Sequence, residues 1–165
     1  QERITEYASM FGIMDVLNAR ISSFSHGMKQ KLFLTASLVT DPHNWILDEP
    51  MVGLDPDAAF KLKELMRKRA SEGKTVFFST HVMEVAEKLC DRIGIIKKGK
   101  LVFVGTKEEL IDSIKYDYNE EANTITFNWD KAFYGNVKKV YIKETNRKSG
   151  IHLKIDNFIG VVIWC

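Results

Sequence analysis

Two acidic side chains stand together at the end of a short apolar run, in the segment "NWILDEP" from Asn44 to Pro50. Successive side chains on a strand point to opposite faces, so Asp48 and Glu49 can do different work. One carboxylate can order a Mg²⁺ ion, usually through water, while the other orients and deprotonates an attacking water molecule. An Asp-Glu pair before a proline also occurs at strand ends that catalyse nothing, so the pair alone leaves both interpretations open.

A hydroxyl and a glycine precede a second apolar stretch, in the segment "FSHGMKQ" that begins at Phe24. Ser25 has the residue type of a helix N-cap, and Gly27 lets the backbone approach a ligand closely. A helix N-terminus carries about half a positive charge and free N–H groups, which suit a phosphate. An ordinary capped helix explains the same residues.

A histidine follows another apolar run, in the segment "TVFFSTH". His81 stands where a strand ends and a helix begins, a position from which it can contact a phosphate oxygen or position an attacking water. A histidine at a helix start without any ligand is the alternative.

The elements that must position these residues alternate along the chain. Residues 44–96 read as strand, helix, strand, helix, strand, which predicts a parallel sheet with right-handed crossovers. Ligands of such sheets lie outside the carboxyl ends of the strands, where Asp48, Glu49 and His81 all fall. The strand "NWIL" is apolar enough to be predicted buried on both of its faces.

Helical patterns precede and follow the first strand. Two short helices are predicted around Gly12, and a longer one starts near Ser25 and ends before Pro42. Its apolar residues recur at steps of three or four, at Met28, Leu32, Ala36 and Val39.

A third helix carries its own start and stop signals. Asp55 is its predicted N-cap, Pro56 lies in its first turn and Gly73 follows its end. Glu64 and Lys68 are spaced to form an i, i+4 ion pair on it.

The remainder up to residue 113 also alternates. An amphipathic helix is predicted with one apolar face, made of Val82, Val85, Ala86 and Leu89. A strand–turn–strand pattern follows, and Thr106 with Glu109 forms the capping box of another helix. After residue 115 the apolar residues alternate at period two, which predicts a small β-rich appendage over 116–165.

The composition of the 165 residues is that of a globular chain, with 45% hydrophobic and 28% charged residues. A net charge of +2 gives no electrostatic case for nucleic acid as a partner. No apolar run approaches the roughly 20 residues that span a bilayer. The two cysteines form no metal-ligand spacing and no disulfide framework, so a reducing compartment is the default.

The order and spacing of these segments resemble the second half of an ATP-binding cassette (ABC) ATPase, the motor subunit of ABC transporters. "FSHGM" is similar to its signature motif, "NWILDE" to its Walker B strand, "GLDP" to its D-loop and "STH" to its switch-histidine loop. The resemblance implies a partial P-loop NTPase fold of the α/β class, with a mostly parallel sheet and flanking helices. It assigns residues 1–115 to the nucleotide-binding domain and leaves 116–165 as the appendage.

The resemblance also implies roles for the signature segment. Ser25 and Gly27 would touch the γ-phosphate of an ATP molecule bound by a partner subunit, and His26 and Met28 belong to the same nucleotide-binding segment. The usual signature reads Leu-Ser-Gly-Gly-Gln, from which Phe24, His26 and Met28 depart. His26 is bulkier than glycine, and it either adds a donor or faces away from the nucleotide.

For the other motifs the resemblance implies a division of labour. Asp48 would serve Mg²⁺, Glu49 would be the general base and His81 would hold the γ-phosphate. Asp55 would communicate across the dimer of ATPase subunits.

The chain contains no phosphate loop of the form G-x-x-x-x-G-K-[ST]. "GIIKKGKL" has the two glycines and the lysine, but it ends in Leu101 and its pattern is that of a hairpin. "SEGKT" has Lys68 where the first glycine is required. We therefore expect the loop upstream, in a longer ATPase of which this is the C-terminal part, or else a truncated product. By itself the chain is expected to be inactive.

The favoured interpretation is an ABC transporter ATPase that uses ATP and Mg²⁺. Its expected partners are a second ABC ATPase subunit and an integral-membrane transporter subunit, at the inner, cytoplasmic face of the membrane. A soluble ABC-type ATPase not tied to transport is one alternative, and a non-catalytic interaction module that kept the scaffold is another. Neither the transported substrate nor its direction follows from the residues.

Overall fold

A computed structural model describes residues 1–97, 99–112, 115–119, 124–128, 139–143, 150–154 and 161–164. Its helices are α1 (Glu2–Met10), α2 (His26–Val39), α3 (Pro56–Ser71), α4 (Met83–Leu89) and α5 (Lys107–Asp112). Its first strands are β1 (Asn44–Leu47), β2 (Thr75–Thr80), β3 (Arg92–Lys97) and β4 (Lys100–Gly105). The later strands are β5 (Lys115–Asn119), β6 (Thr124–Asn128), β7 (Lys139–Lys143), β8 (Gly150–Lys154) and β9 (Val161–Trp164).

The chain divides into two compact units. The first comprises Gln1–Thr80 with Ile163–Cys165, and the second comprises His81–Val162. In the first unit β1 and β2 pair in parallel, with Leu47 opposite Phe78, and α3 is the helix that connects them. This strand–helix–strand arrangement confirms the parallel pairing predicted from the alternating elements.

Two helix starts in the first unit follow their predicted caps. The Ser25 hydroxyl accepts a hydrogen bond from the Met28 N–H at 3.2 Å, and the Asp55 carboxylate accepts one from the Ala58 N–H at 3.0 Å. Gly73, just beyond α3, has a φ of +78°, a left-handed conformation that glycine adopts without steric cost. These three predictions of helix ends are confirmed because each depends only on residues close together in the chain.

The predictions of a second short helix and of an ion pair on α3 are wrong in detail. The second short helix expected after Gly12 is a single 3-10 turn, Met14–Val16. A second 3-10 turn, Ile21–Ser23, leads into α2. On α3, Glu64 pairs with Arg67 at 2.8 Å and not with Lys68, so the predicted i, i+4 pair is wrong. The i, i+3 spacing suits the arginine here as well as i, i+4 would suit the lysine.

The core of the first unit selects a different face of α2 from the predicted stripe. Leu34, Thr35 and Leu38 are the buried residues of α2, whereas Ala36 of the predicted stripe is exposed. Packing against α1 decides which side of α2 is covered. The largest fully buried side chains of the unit are Trp45, Phe11, Phe78, Ile13, Leu34, Leu38, Leu62, Met66 and Val76.

β1 is buried on one face only, so the prediction of burial on both faces is wrong. Trp45 and Leu47 are buried, but Ile46 is 73% exposed. Alternate side chains of a strand point to opposite faces, and the described residues of the unit cover just one of them.

The second unit contains the predicted helix, hairpin and capping box. On α4 the buried residues are Ala86 and Leu89 of the predicted face, while Val82 is exposed. β3 and β4 pair antiparallel, which confirms the hairpin predicted for this part of the chain. The Thr106 N–H donates to the Glu109 carboxylate at 2.8 Å, and the Glu109 N–H donates to the Thr106 hydroxyl at 3.2 Å.

Strands also occur in the region predicted as a β-rich appendage. β5 pairs with β6 and β7 with β8, both antiparallel. The segments 120–123, 129–138, 144–149 and 155–160 and residue 165 of the predicted appendage lie outside the described residues. The boundary near residue 115 stays a prediction. Across the part of the chain that the structure describes, no helix has the length and apolarity needed to cross a membrane.

Candidate functional site

Asp48, Glu49 and Ser79 form a cluster at the carboxyl ends of β1 and β2, which we call the carboxylate edge. Because Leu47 lies opposite Phe78 in the parallel register, the next residues of the two strands, Asp48 and Ser79, become neighbours. The Ser79 hydroxyl donates a short hydrogen bond to Asp48 Oδ1 and accepts one from the Glu49 N–H at 3.0 Å. A single hydroxyl therefore joins the side chain of one acidic residue to the backbone of the other.

Glu49 adopts an unusual backbone conformation at this edge. Its φ is +43°, in the left-handed region that side chains other than glycine rarely occupy. Such a residue costs roughly 1–2 kcal/mol and persists where its surroundings hold it. The Val52 N–H donates to the Glu49 carbonyl at 3.1 Å, so the chain turns sharply as soon as it leaves the strand.

Ser25, His26, Gly27 and Met28 form the start of α2. Ser25 and His26 are exposed, while Gly27 and Met28 are half-buried. Since Ser25 Oγ caps the helix as an acceptor from the Met28 N–H, its own O–H remains able to donate to an anion. The free N–H groups of a first helical turn are donors of the same kind.

The start of α2 lies against the loop between β1 and α3, in what we call the glycine contact, made by His26, Gly27 and Gly53. A Cβ on Gly27 would lie 2.7 Å from the Gly53 carbonyl oxygen. A Cβ on Gly53 would lie 2.6 Å from His26 Nδ1, and Gly53 has a φ of +79°. A Cβ at Gly27 would therefore meet backbone, whereas a Cβ at Gly53 would meet the His26 ring.

Two polar contacts extend the glycine contact. Lys31 Nζ lies 2.5 Å from Asp55 Oδ2, and Gln30 Nε2 donates to the Pro50 carbonyl at 3.2 Å. The hydrogen bond from Lys31, with that from the Ala58 N–H, lowers the pKa of Asp55 to about 2. Both carboxylate oxygens of Asp55 are thus engaged within its own chain, one by the α3 N-terminus and one by α2.

The structure brings the predicted site residues together in two groups. Asp48 and Glu49 meet at the carboxylate edge, and Ser25, His26, Gly27 and Met28 lie with Asp55 around the glycine contact. His81 is the first residue of the second unit, where it is exposed and precedes α4. The role predicted for His81 stays a prediction.

The donor set of the carboxylate edge suits Mg²⁺. Among the residues that the structure describes, no group of three or more His, Cys, Asp or Glu side chains is assembled to hold a metal ion. Mg²⁺ is commonly bound by one or two carboxylates, with phosphate oxygens and waters completing its coordination shell. The Asp48 carboxylate is a ligand of this type. The exposed helix start, with its hydroxyl and N–H donors, fits a phosphate group.

Sequence reasoning gave no role to Ser79 and Gly53, although they lie within "STH" and "GLDP", and it did not single out Lys31. The position of Ser79 near the end of the predicted second strand could be read from the sequence, but its proximity to Asp48, which follows β1, depends on the strand register. Lys31 is one of several lysines on a predicted helix, and nothing in the sequence distinguishes it. The closeness of Gly53 to Gly27 needs the packing of two separate segments.

Comparison with known proteins places this geometry in a family. Residues 16–87 match a family model described as "AAA domain, putative AbiEii toxin, Type IV TA system". A solved structure described as the ATP-binding subunit of an ABC transporter superposes with a TM-score of 0.64 at 32% identity, over 67% of this chain and 46% of that one.

Curated relatives agree with the structural match. An uncharacterized ABC transporter ATP-binding protein of Nostoc sp. is 36% identical over 68% of this chain and 34% of its own length. Nod factor export ATP-binding protein I of Rhizobium etli is 42% identical over 59% of this chain and 31% of its own. The ABC transporter ATP-binding protein NatA of Bacillus subtilis is 35% identical over 74% of this chain and 49% of its own.

These matches identify the chain as part of an ABC-type ATPase. The parallel pair of β1 and β2 with its crossover helix is thus a piece of a P-loop NTPase fold. The chain spans about a third to a half of the length of these curated relatives. The predicted family and fold class are confirmed.

Proposed function

We propose that this chain supplies two parts of an ABC transporter ATPase: the carboxylates for hydrolysis, Asp48 and Glu49, and the signature segment that begins at Ser25. The observation that carries this proposal is the carboxylate edge, where Asp48 and Glu49 follow β1 and are joined by the Ser79 hydroxyl. Two carboxylates held at the carboxyl end of a parallel strand suit phosphoryl transfer to water.

In the proposed mechanism Glu49 is the general base. Its carboxylate accepts a proton from the water that attacks the γ-phosphorus of ATP, while the bond from that phosphorus to the bridging oxygen breaks and ADP leaves with the electron pair. Asp48 would hold Mg²⁺ through its carboxylate oxygens. Bound Mg²⁺ neutralises charge on the phosphate oxygens. His81, which follows β2 in the chain, is proposed to donate a hydrogen bond to the γ-phosphate.

The start of α2 is proposed to act on a nucleotide held by a second ATPase subunit. Ser25 and His26 are exposed at this helix start, and the Ser25 O–H and the His26 and Gly27 N–H groups are donors of the kind that a phosphate accepts. A γ-phosphate presented by a partner would receive them at the positive end of the helix. Through the glycine contact, the start of α2 packs against the loop that follows the carboxylate edge.

We further propose that the complete ATPase works at the cytoplasmic face of the membrane, docked on an integral-membrane transporter subunit. The relatives at 35–42% identity are ABC transporter ATP-binding proteins, which supports transport over a soluble ATPase. The presence of Asp48, Glu49 and His81 at the positions that the ABC ATPase motifs require supports catalysis over a purely structural module.

The test of the catalytic proposal is Glu49→Gln in the full-length ATPase that contains these residues. The amide keeps the shape and hydrogen-bonding capacity of the side chain but cannot take a proton. Steady-state turnover should fall by roughly 10²–10⁴-fold while ATP binding survives. Glu64→Gln, on the exposed face of α3, is the matched control and should leave turnover unchanged. Turnover of Glu49→Gln at the level of the control would refute the assigned role.

A second test addresses the action in trans. In a mixed dimer, one subunit carries Ser25→Arg and Gly27→Asp, which crowd the site and set a carboxylate against a phosphate. Removal of the phosphate-loop lysine from one subunit at a time lets each nucleotide site be scored separately. Loss of turnover confined to the site opposite the mutated segment supports the proposal. Loss confined to the mutated subunit's own site contradicts it.

A further inference from the structure

The Ser79 hydroxyl bonds to both acidic residues beside it. It donates its only proton to Asp48 Oδ1 and accepts a hydrogen bond from the N–H of Glu49, which follows β1. A hydroxyl has one proton, so Ser79 has none left to offer to a phosphate or to water. Ser79 therefore holds the Asp48 carboxylate and the Glu49 backbone in place and has no proton to donate to a substrate.

The hydrogen bond that Ser79 accepts comes from the backbone N–H of Glu49, the residue with the strained backbone. Glu49 leaves β1 with a φ of +43°, and the hydroxyl captures its N–H at the point where the chain turns. A backbone N–H left unpaired there would make the left-handed conformation less favourable, because the peptide could rotate to find another partner. Rotation of that peptide would carry the Glu49 side chain away from its present direction.

We propose that Ser79 is a positioning residue for ATP hydrolysis, which sets the direction of the Glu49 carboxylate and restrains the Asp48 carboxylate through one shared hydroxyl. This inference rests on the proposed function of the carboxylate edge. A misplacement of about 1 Å in a reacting group costs on the order of 10²-fold in rate, so a holder at this position affects turnover without touching substrate.

The experiment uses the full-length ATPase with Ser79→Ala and Ser79→Thr. Ser79→Ala removes both hydrogen bonds, whereas Ser79→Thr keeps the hydroxyl. We expect kcat of Ser79→Ala to fall about 10- to 100-fold with KM for ATP nearly unchanged, and Ser79→Thr to recover most of the loss. Ser71→Ala is the matched control, since the exposed Ser71 hydroxyl donates only to the Lys68 carbonyl at the end of α3, at 2.8 Å.

A second measurement does not depend on catalysis. Amide hydrogen exchange of Glu49, followed by NMR, should quicken in Ser79→Ala and return toward the original rate in Ser79→Thr, while the amides within β2 keep theirs. If Ser79→Ala does not fold, Ser79→Cys takes its place, because a thiol has similar size and is a weak hydrogen-bonding group.

The outcomes separate the two proposals. Glu49→Gln in the same assay reports on the general base, and if it keeps full turnover the proposed function fails whatever Ser79 does. If Glu49→Gln is inactive but Ser79→Ala turns over ATP like the unsubstituted enzyme, the positioning role is wrong. It is equally wrong if the Glu49 amide exchanges at its original rate in Ser79→Ala, or if KM rises as much as kcat falls.

Discussion

The carboxylate edge and the glycine contact both include residues of the loop between β1 and α3, but a left-handed backbone has a different role in each. Each contains a residue in the left-handed region, Glu49 with a φ of +43° and Gly53 with a φ of +79°. At the carboxylate edge a side chain is required, so Glu49 adopts a strained backbone whose N–H is bonded to the Ser79 hydroxyl. At the glycine contact a side chain on Gly53 is excluded, because the His26 ring occupies the space.

The two regions also differ in what holds them. The carboxylate edge is held by hydrogen bonds of Ser79, which lies on β2, to Asp48 and Glu49, which follow the neighbouring strand β1. The glycine contact is joined by close backbone packing and by the ion pair of Lys31 with Asp55. The left-handed backbone of Glu49 therefore costs conformational free energy, whereas that of Gly53 comes with a close contact that leaves no space for a side chain. Substitutions at the two positions can separate these effects.

The largest effect is expected from Gly27→Ala, which breaks the glycine contact. Its Cβ would lie 2.7 Å from a carbonyl oxygen of the backbone, which cannot rotate away as a side chain would. We expect the free energy of unfolding to fall by about 1–3 kcal/mol, as in overpacked cores. Urea denaturation measures it. Gly27 lies within α2 and is not in the left-handed region, so Gly27→Ala adds no strain of that kind, and an unchanged free energy of unfolding would contradict the close contact.

Gly53→Ala tests whether φ or His26 makes glycine necessary. We expect a loss of about 1–2 kcal/mol from the left-handed backbone, with an added loss from the His26 ring at 2.6 Å. In the double-mutant cycle with His26→Ala only the added part should disappear, because removing the ring leaves φ unchanged. Additive losses in the cycle would show that the ring moves aside freely.

At the carboxylate edge the order of alanine and glycine should be reversed from the usual one. Glycine generally destabilises a protein relative to alanine, but at a φ of +43° it removes the strain. We therefore expect Glu49→Gly to be more stable than Glu49→Ala by about 1 kcal/mol in chemical denaturation. The same comparison at Glu64, in the interior of α3, should favour alanine. A preference for alanine at both positions would remove the argument for strain at Glu49.

The smallest effect concerns the ion pair. Lys31 lowers the pKa of Asp55 from 3.8 to about 2, so the carboxylate is more easily ionised in the folded chain than in the unfolded chain. The stability from this pair is present above about pH 4 and is lost as the pH falls through 2. Asp55 is 48% exposed, so we expect a shallow slope that Lys31→Met flattens further.

Thermal unfolding from pH 5 to pH 2 measures this slope. Asp41 has its pKa lowered to about 2 as well, by Lys74 first and then Arg69, and it provides the comparison. Asp41→Asn should flatten the same pH range independently, since the two carboxylates have different partners. A slope in Lys31→Met as steep as that of the unsubstituted chain would contradict the assignment to Asp55.

Asp41 also belongs to a group that the sequence did not reveal. Arg69 of α3 is 2% exposed, donates to Asp41 Oδ1 at 3.0 Å and to the Pro42 carbonyl, and lies 5.6 Å from the centre of the Trp45 ring. Lys74 donates to the same Asp41 oxygen at 2.7 Å. In the sequence Arg69 is one of many charged residues on a helix, and only packing shows that it is buried and paired.

The sequence by itself determined the local features of this protein. The caps at Ser25 and Asp55, the end of α3 before Gly73 and the capping box of Thr106 and Glu109 all form between residues a few positions apart, whose types decide the outcome. The order of strands and helices followed from the periodicity of apolar residues. The order of four short motifs was enough to indicate the family.

Only the tertiary structure decided which distant residues meet. The register of β1 on β2 places Ser79 beside Asp48, and the approach of two separate segments brings Gly53 against Gly27 and Lys31 to Asp55. It also decided that Ile46 is exposed and that Leu34 and Leu38 form the buried face of α2. Such contacts join residues far apart in the chain, and their free energy depends on how whole elements pack, which no short segment of sequence specifies.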